Sequence, residues 1–295
     1  MTSTPINYIQ RTKDWYLALG YDNPYQWAHF SEVPFTPLLK PLSECKVTLV
    51  TTAAPFQPDK GPQGVGAPYN AGAKFYEVYS KETALDHDLR ISHVSIDRKH
   101  TSMEDPNTWF PLPALRRAVE TKQIASLARN FHGMPTNRSQ KRTLELDSPE
   151  VVKRCKEEGV DAVVLVPNCP VCHQTISILA RQLEAEKIST VIMGCAKDIV
   201  EYCGVPRFLF SDFPLGNSAG KPNDLQSQEY TLDLALNLLV SATQSRTTQV
   251  SSLSWSESDN WKIDYCNPNL LSQEQIALLR AENDSAKAIA KSIRN

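Results

Sequence analysis

The chain has 295 residues, 31 Lys and Arg against 33 Asp and Glu, and 41% hydrophobic residues. This composition is globular, and the length suits one large domain or two packed halves. A net charge of −2 gives no global field for nucleic acid or an anionic membrane. The opening MTSTPINYIQRTKDWY lacks the apolar stretch of a secretory signal, and no run of about 18 apolar residues follows. The reading is a cytoplasmic protein with neither nucleic acid nor membrane as partner.

Residues 1–45, rich in Trp and Tyr and carrying Pro34, Pro37 and Pro41, read as an ordered arm packed on a core. The first predicted strand is 46–52 (KVTLVTT), closed by Ala-Ala-Pro and a Gly/Pro-rich loop over 57–72. Residues 89–96 (LRISHVSI) alternate as a second strand does. Pro111 and Pro113 open a helix to about Thr121, and 124–131 is a weaker third strand ended by His132-Gly133-Met134-Pro135.

From Ser148 the pattern sharpens. Ser148-Pro149-Glu150 starts a helix that Gly159 stops. Residues 161–167 (DAVVLVP) are nearly continuously apolar, as in a parallel sheet covered on both faces. A helix over 170–187, a strand at 190–194, a short helix at 197–203, a strand at 207–211 and a long helix over 225–242 follow. Residues 247–267 are polar, with Trp255 and Trp261. Residues 272–295 are Ala-rich and helical, Ser272 and Gln275 having capping-box spacing. Alternating strands and helices predict an α/β protein with a parallel sheet built of βαβ units, flavodoxin-like or racemase-like. Two halves, 46–147 and 148–246, pack together between the arm at 1–45 and a C-terminal extension with a helix at 247–295.

Seven cysteines are too few and too scattered for a disulfide framework in a chain this long, and an odd number argues against one. Four of them, Cys169, Cys172, Cys195 and Cys203, fall in one stretch. The strand at 161–167 delivers Asn168-Cys169-Pro170-Val171-Cys172-His173 to a helix start, with Cys169 near the N-cap. There the helix offers about half a positive charge and unpaired N–H donors, which favour a thiolate. Cys172 lies one turn on, where its sulfur can meet that of Cys169 and close a disulfide. His173 can add positive charge or shuttle a proton.

Ligands of open parallel sheets bind beyond the carboxyl ends of the strands, where Cys169 and Cys195 both sit. Asp212 reaches the same edge as an acid or base, with Asn217 a few residues on. In the first half the corresponding candidates are His93 and Asp97, then His132, with Arg138, Lys141 and Arg142 on a polar loop suited to a carboxylate. Each has a plainer reading. C-x-x-C also serves zinc, but no second pair completes four ligands, so no metal is expected. Cys195 and His93 fit a packed interior, and residues 138–142 fit a solvated loop.

At these residues the chain resembles the selenoprotein B subunits of glycine, sarcosine and betaine reductases and the related D-proline reductase subunit. The likeness rests on NCPVCHQ after a strand, FPLGN-x-x-G-K-P at 213–222 and RISH-x-x-x-D at 90–97. It extends, with gaps, over about residues 45–245. The family's selenocysteine position in U-x-x-C-H is held here by Cys169, followed by Cys172 and His173. Selenolate is the better nucleophile, so a cysteine version is expected to perform an easier reduction or a different reaction. The resemblance implies reductive cleavage of a carbon–nitrogen bond in a small amino-acid-like substrate. It also implies a separate pyruvoyl-bearing subunit and a thioredoxin-like or other external dithiol donor; nothing in this chain would generate a pyruvoyl group. The arm and extension lie outside the likeness and offer a partner or self-association surface, which suits a homo-oligomer. Two other classes stay open. Met193-Gly194-Cys195 is similar to the cysteine turn of cofactor-independent amino-acid racemases, though those carry their cysteines in different halves. A non-enzymatic thiol redox sensor or binding protein is the third.

Overall fold

The computed structural model describes residues 4–294; the first three residues of the arm and Asn295 lie outside that range. In chain order the elements are α1 (Tyr8–Ala18), β1 (Lys46–Thr51), β2 (Ala54–Pro55), β3 (Tyr79–Glu82), β4 (Leu89–Arg90), α2 (Leu112–Glu120), β5 (Ser126–Leu127), β6 (Asn130–Gly133), α3 (Gln140–Arg142) and α4 (Ser148–Glu157). There follow β7 (Ala162–Val166), α5 (Pro170–Ala185), β8 (Ser189–Gly194), α6 (Lys197–Cys203), β9 (Arg207–Phe210), α7 (Leu225–Ser241), β10 (Thr247–Val250), α8 (Trp261–Asp264) and α9 (Gln273–Arg294).

Eight of the strands make one sheet in the order β10-β9-β8-β7-β1-β6-β3, with β5 also on β1. All pairings are parallel except β3 with β6. The expected α/β class with a parallel sheet and a C-terminal helix is what forms. The segments 46–147 and 148–246 meet edge to edge, β1 matching β7 from Val47↔Ala162 to Thr51↔Val166. The apolar run of β7 has its cause in the layers. Val163 and Leu165 face a core shared with α4 and α5, while Ala162, Val164 and Val166 face one shared with α2 and α7. Burying a Val or Leu side chain stabilises by about 1.5–3 kcal/mol, so both faces hold the strand central.

The arm fastens to this sandwich at a buried ion pair. Arg207 Nη1 lies 2.8 Å from Glu184 Oε1, both side chains fully buried, and Arg207 Nη2 donates to the Thr36 carbonyl at 2.8 Å.

Residues 89–96 depart from the sequence expectation. Only Leu89 and Arg90 pair, antiparallel to β2 in a separate ribbon, and Ile91, Ser92 and His93 run on as buried loop. Their alternation reflects a loop laid over the core rather than a ladder. The weaker third strand splits into β5 and β6. Among the elements without a clear sequence signal are α1, the half-buried edge strand β3, and β10.

Candidate active site

The chain leaves β1 toward β6 on one side and leaves β7 toward β8 on the other, so the sheet switches direction between β1 and β7. A crevice opens at such a point beyond the strand ends. Asn168 Nδ2 donates to Thr52 Oγ1 at 2.9 Å across it. Cys169 is the N-cap of α5, its sulfur accepting the Cys172 N–H at 3.3 Å, with Pro170 in the first turn. The two sulfurs are 2.7 Å apart and unbonded.

Two negative charges at that distance cannot both persist, so the pair ionises as a unit. Burial pushes the Cys169 thiol well up, and its hydrogen bond to Cys172 and the charge there push the same way. Burial also opposes ionisation of Cys172, but the hydrogen bonds from Cys169 and the Thr52 hydroxyl outweigh it and hold Cys172 well below the thiol range. The charge thus rests on the deeper sulfur and the proton on Cys169, whereas the helix-start argument alone assigns the charge to Cys169.

His173 belongs to the scaffold. Its Nδ1 lies 2.8 Å from the Cys169 carbonyl, and its Nε2 accepts the N–H groups of Cys195 and Ala196 at 2.9 and 3.2 Å. Those contacts require the neutral ring, and burial lowers its pKa to about 4. With both nitrogens engaged it ties the start of α5 to the end of β8 and neither carries charge nor shuttles a proton. Gly194 makes the room: a Cβ there would lie 2.8 Å from His173 Nε2.

Cys195 is not brought to the pair. It packs in a cluster with Tyr8, Phe213 and Trp261, burial pushing its thiol to about 12. Asp212 pairs with Lys262 at 2.5 Å, fastening the C-terminal extension, whereas Asp97 accepts from His100 Nδ1 at 2.9 Å within its own loop. His132 lies inside the sheet edge, its Nδ1 2.8 Å from Ser80 Oγ, with burial lowering its pKa to about 4. Asn217 donates to Pro214 O at 3.0 Å and to Thr101, bracing its own loop. Lys141 and Arg142 pair with Glu145 and Asp147 on α3 and the turn after it.

Cys169, His93 and Arg138 do converge, on a cavity of about 640 Å³ beyond the strand ends. His93 comes from the loop after β4. It is 9% exposed, its Nδ1 has no hydrogen-bond partner among the described residues, and burial keeps the ring neutral. Arg138, after β6, holds φ at 55°, a conformation uncommon for a side-chain-bearing residue and often found at functional sites. Its Nη2 donates to Tyr16 OH at 2.7 Å. A second cavity of about 170 Å³, walled by Tyr16, Tyr21, Tyr25 and Trp27, shares Cys169, Arg138 and Lys287 with the first. Cys169, though only 2% exposed, borders both.

Several walls were not legible in the chain. Tyr69 and Asn70 come from the Gly/Pro-rich loop, Lys74 from just after it, and Asn283, Lys287 and Lys291 from α9. The length of that loop was their only sequence signal. Among the described residues no group of three or more His, Cys, Asp or Glu gathers to hold a metal ion, and no helix is long and apolar enough to cross a membrane.

Fold and site together define an α/β protein with a vicinal thiol pair at the switch point of a mostly parallel sheet. Residues 18–168 match the family model described as glycine/sarcosine/betaine reductase selenoprotein B. D-proline reductase subunit gamma of Acetoanaerobium sticklandii is 31% identical over 209 residues, 70% of this chain and 83% of that subunit. The sarcosine reductase complex component B subunit beta of Peptoclostridium acidaminophilum is 23% identical over 208 residues, 68% of this chain and 46% of its own. For the glycine reductase complex component B subunit gamma of Symbiobacterium thermophilum the values are 23% over 237 residues, 78% and 52%. The chain thus spans most of the D-proline reductase subunit and about half of the other two. No solved structure matches. The chain belongs to the glycine/sarcosine/betaine reductase selenoprotein B family, with cysteine at position 169.

Proposed function

We propose that this chain is the thiol-bearing component of a reductase that cleaves a carbon–heteroatom bond, C–N being the bond the family likeness favours. The observation that carries the reading is the 2.7 Å approach of the Cys169 and Cys172 sulfurs, with Cys169 opening on the cavity. Cys169 yields its proton to the Cys172 thiolate and bonds X, the carbon leaving with the C–X electron pair and taking a solvent proton; Cys172 then attacks the Cys169 sulfur, closing the disulfide and releasing X with the proton it holds. The C–X and S–H bonds break; C–H, X–H and S–S bonds form. The pair supplies two electrons and the proton on Cys169, and solvent supplies the second proton. An external dithiol or thioredoxin-like protein then reduces the disulfide by exchange. Because the relatives are subunits of reductase complexes, a protein partner that activates the substrate fits the same reading, as does a homo-oligomer in solution. The racemase alternative needs a second cysteine at the cavity, and Cys195 lines neither pocket.

The test is a substrate screen with dithiothreitol as donor, scored for product and for thiol consumed. One dithiol oxidised per product, lost in both Cys169→Ser and Cys172→Ser, is expected. Turnover that survives Cys172→Ser defeats the dithiol cycle.

A further inference from the structure

The charges around the larger cavity bear on what it accepts. Arg138, Lys287 and Lys291 line it together with Lys74, and no Asp or Glu does. The smaller cavity likewise has Arg138 and Lys287 and no acid. Arg138, Lys287 and Lys291 have donors to spare. Arg138 uses Nη2 on Tyr16 but has five N–H donors in all. Lys287 lies over the Tyr21 ring at 3.5 Å from its centroid and 3.6 Å from Asp284, a carboxylate that lines neither cavity. Lys291 has no ion pair among the described residues. Beside them the buried His93 leaves its Nδ1 unpartnered.

An amino-acid zwitterion needs a carboxylate or equivalent for its ammonium, and this wall offers it like charges. The volume, about 640 Å³, also exceeds what so small a molecule fills. From the acid-free ring of Arg138, Lys287 and Lys291 around Cys169, we infer that the ligand is a dianion, a dicarboxylate or a phosphate monoester, with an uncharged scissile heteroatom. Lys287 and Lys291 of α9 are its specificity determinants. Helix α9 is held over the site by the arm: Arg280 Nη1 donates to the Leu19 and Gly20 carbonyls at 2.8 Å, and Asp284 accepts from Tyr21 OH at 2.7 Å. The recognising wall therefore exists only when arm and extension are both seated.

This deepens the reductase reading but is tested by binding alone. Calorimetric titration of the full chain without reductant would use succinate, glutarate and glycerol phosphate against proline and betaine. At least one dianion should bind about tenfold or more tightly than either zwitterion, and which dianion does so separates carboxylate from phosphate chemistry. Lys291→Gln and Arg138→Gln should each weaken it about fivefold or more, while Lys153→Gln, on the exposed side of α4, should not. Cys169→Ser should keep the affinity, so a failed thiol cycle and a failed anion site give different results. Tighter binding of proline or betaine, no binding of any dianion, or indifference to Lys291→Gln and Arg138→Gln overturns the inference.

Discussion

Replacing His173 by Phe keeps an aromatic ring and deletes both nitrogens. The Cys195 and Ala196 N–H groups then lose their acceptor and the Cys169 carbonyl loses its contact, all in a fully buried place. A buried polar group left unpaired costs about 1–3 kcal/mol, so a loss of about 3 kcal/mol is expected at neutral pH. For a chain of this size that lowers Tm by about 6 °C or more. The penalty is pH-dependent. His173 has a folded pKa of about 4, below the unfolded value, so its neutral form favours the fold above the unfolded pKa. That advantage is lost as the pH falls, when the unfolded chain takes up the proton first. The wild-type chain therefore gives up about 3 kcal/mol between pH 6.5 and 4 that the Phe variant cannot lose. Urea unfolding of both proteins across that range should show the difference shrinking toward acid. An unchanged Tm at pH 7, or a gap that widens as the pH falls, refutes the neutral-tether role and returns His173 to the proton carriers.

Other outcomes follow from the same geometry. Alkylation of the wild-type pair should proceed below the ordinary thiol range because one sulfur is already ionised; in Cys172→Ser, burial acts alone on Cys169 and its alkylation should need higher pH. Equal pH profiles for the two proteins would show that the sulfurs do not share a proton. Arg207→Met strands the buried Glu184 charge and should cost about 3–5 kcal/mol in urea unfolding; a cost under about 1 kcal/mol would mean the site is wet. Gly194→Ala drives a methyl against His173 and should cost about 1–3 kcal/mol with loss of reductase activity. An unaffected variant would show that the ring has room to move.

The parts of the molecule read correctly from sequence are those set by local rules. The apolar run of β7, the N-cap position of Cys169 and the capping-box start of α9, where Gln275 N–H donates to Ser272 Oγ at 3.2 Å, all hold. The misreadings share one cause: alternation along 89–96 and the polar, half-buried character of β3 depend on what lies across from them, which spacing does not encode. The same applies to the site. Cys169 and Cys172 meet because one helical turn brings them together, which spacing predicts. His132, Cys195, Asp97 and Asp212 are expected at the sheet edge because each follows a predicted strand, but each instead answers to its own partner: Ser80, an apolar cluster, His100 and Lys262. Lys287 and Lys291 sit on an exposed helix of ordinary composition, so only tertiary structure reveals that they wall a cavity.

The dithiol cycle is tested most directly by mass measurement on the reduced protein after mild oxidation. A loss of about two mass units confined to the peptide joining Cys169 and Cys172, reversed by dithiothreitol with the fold intact, is the expected result. Oxidation that leaves those two sulfurs unlinked, while both stay alkylatable in folded protein, contradicts the account.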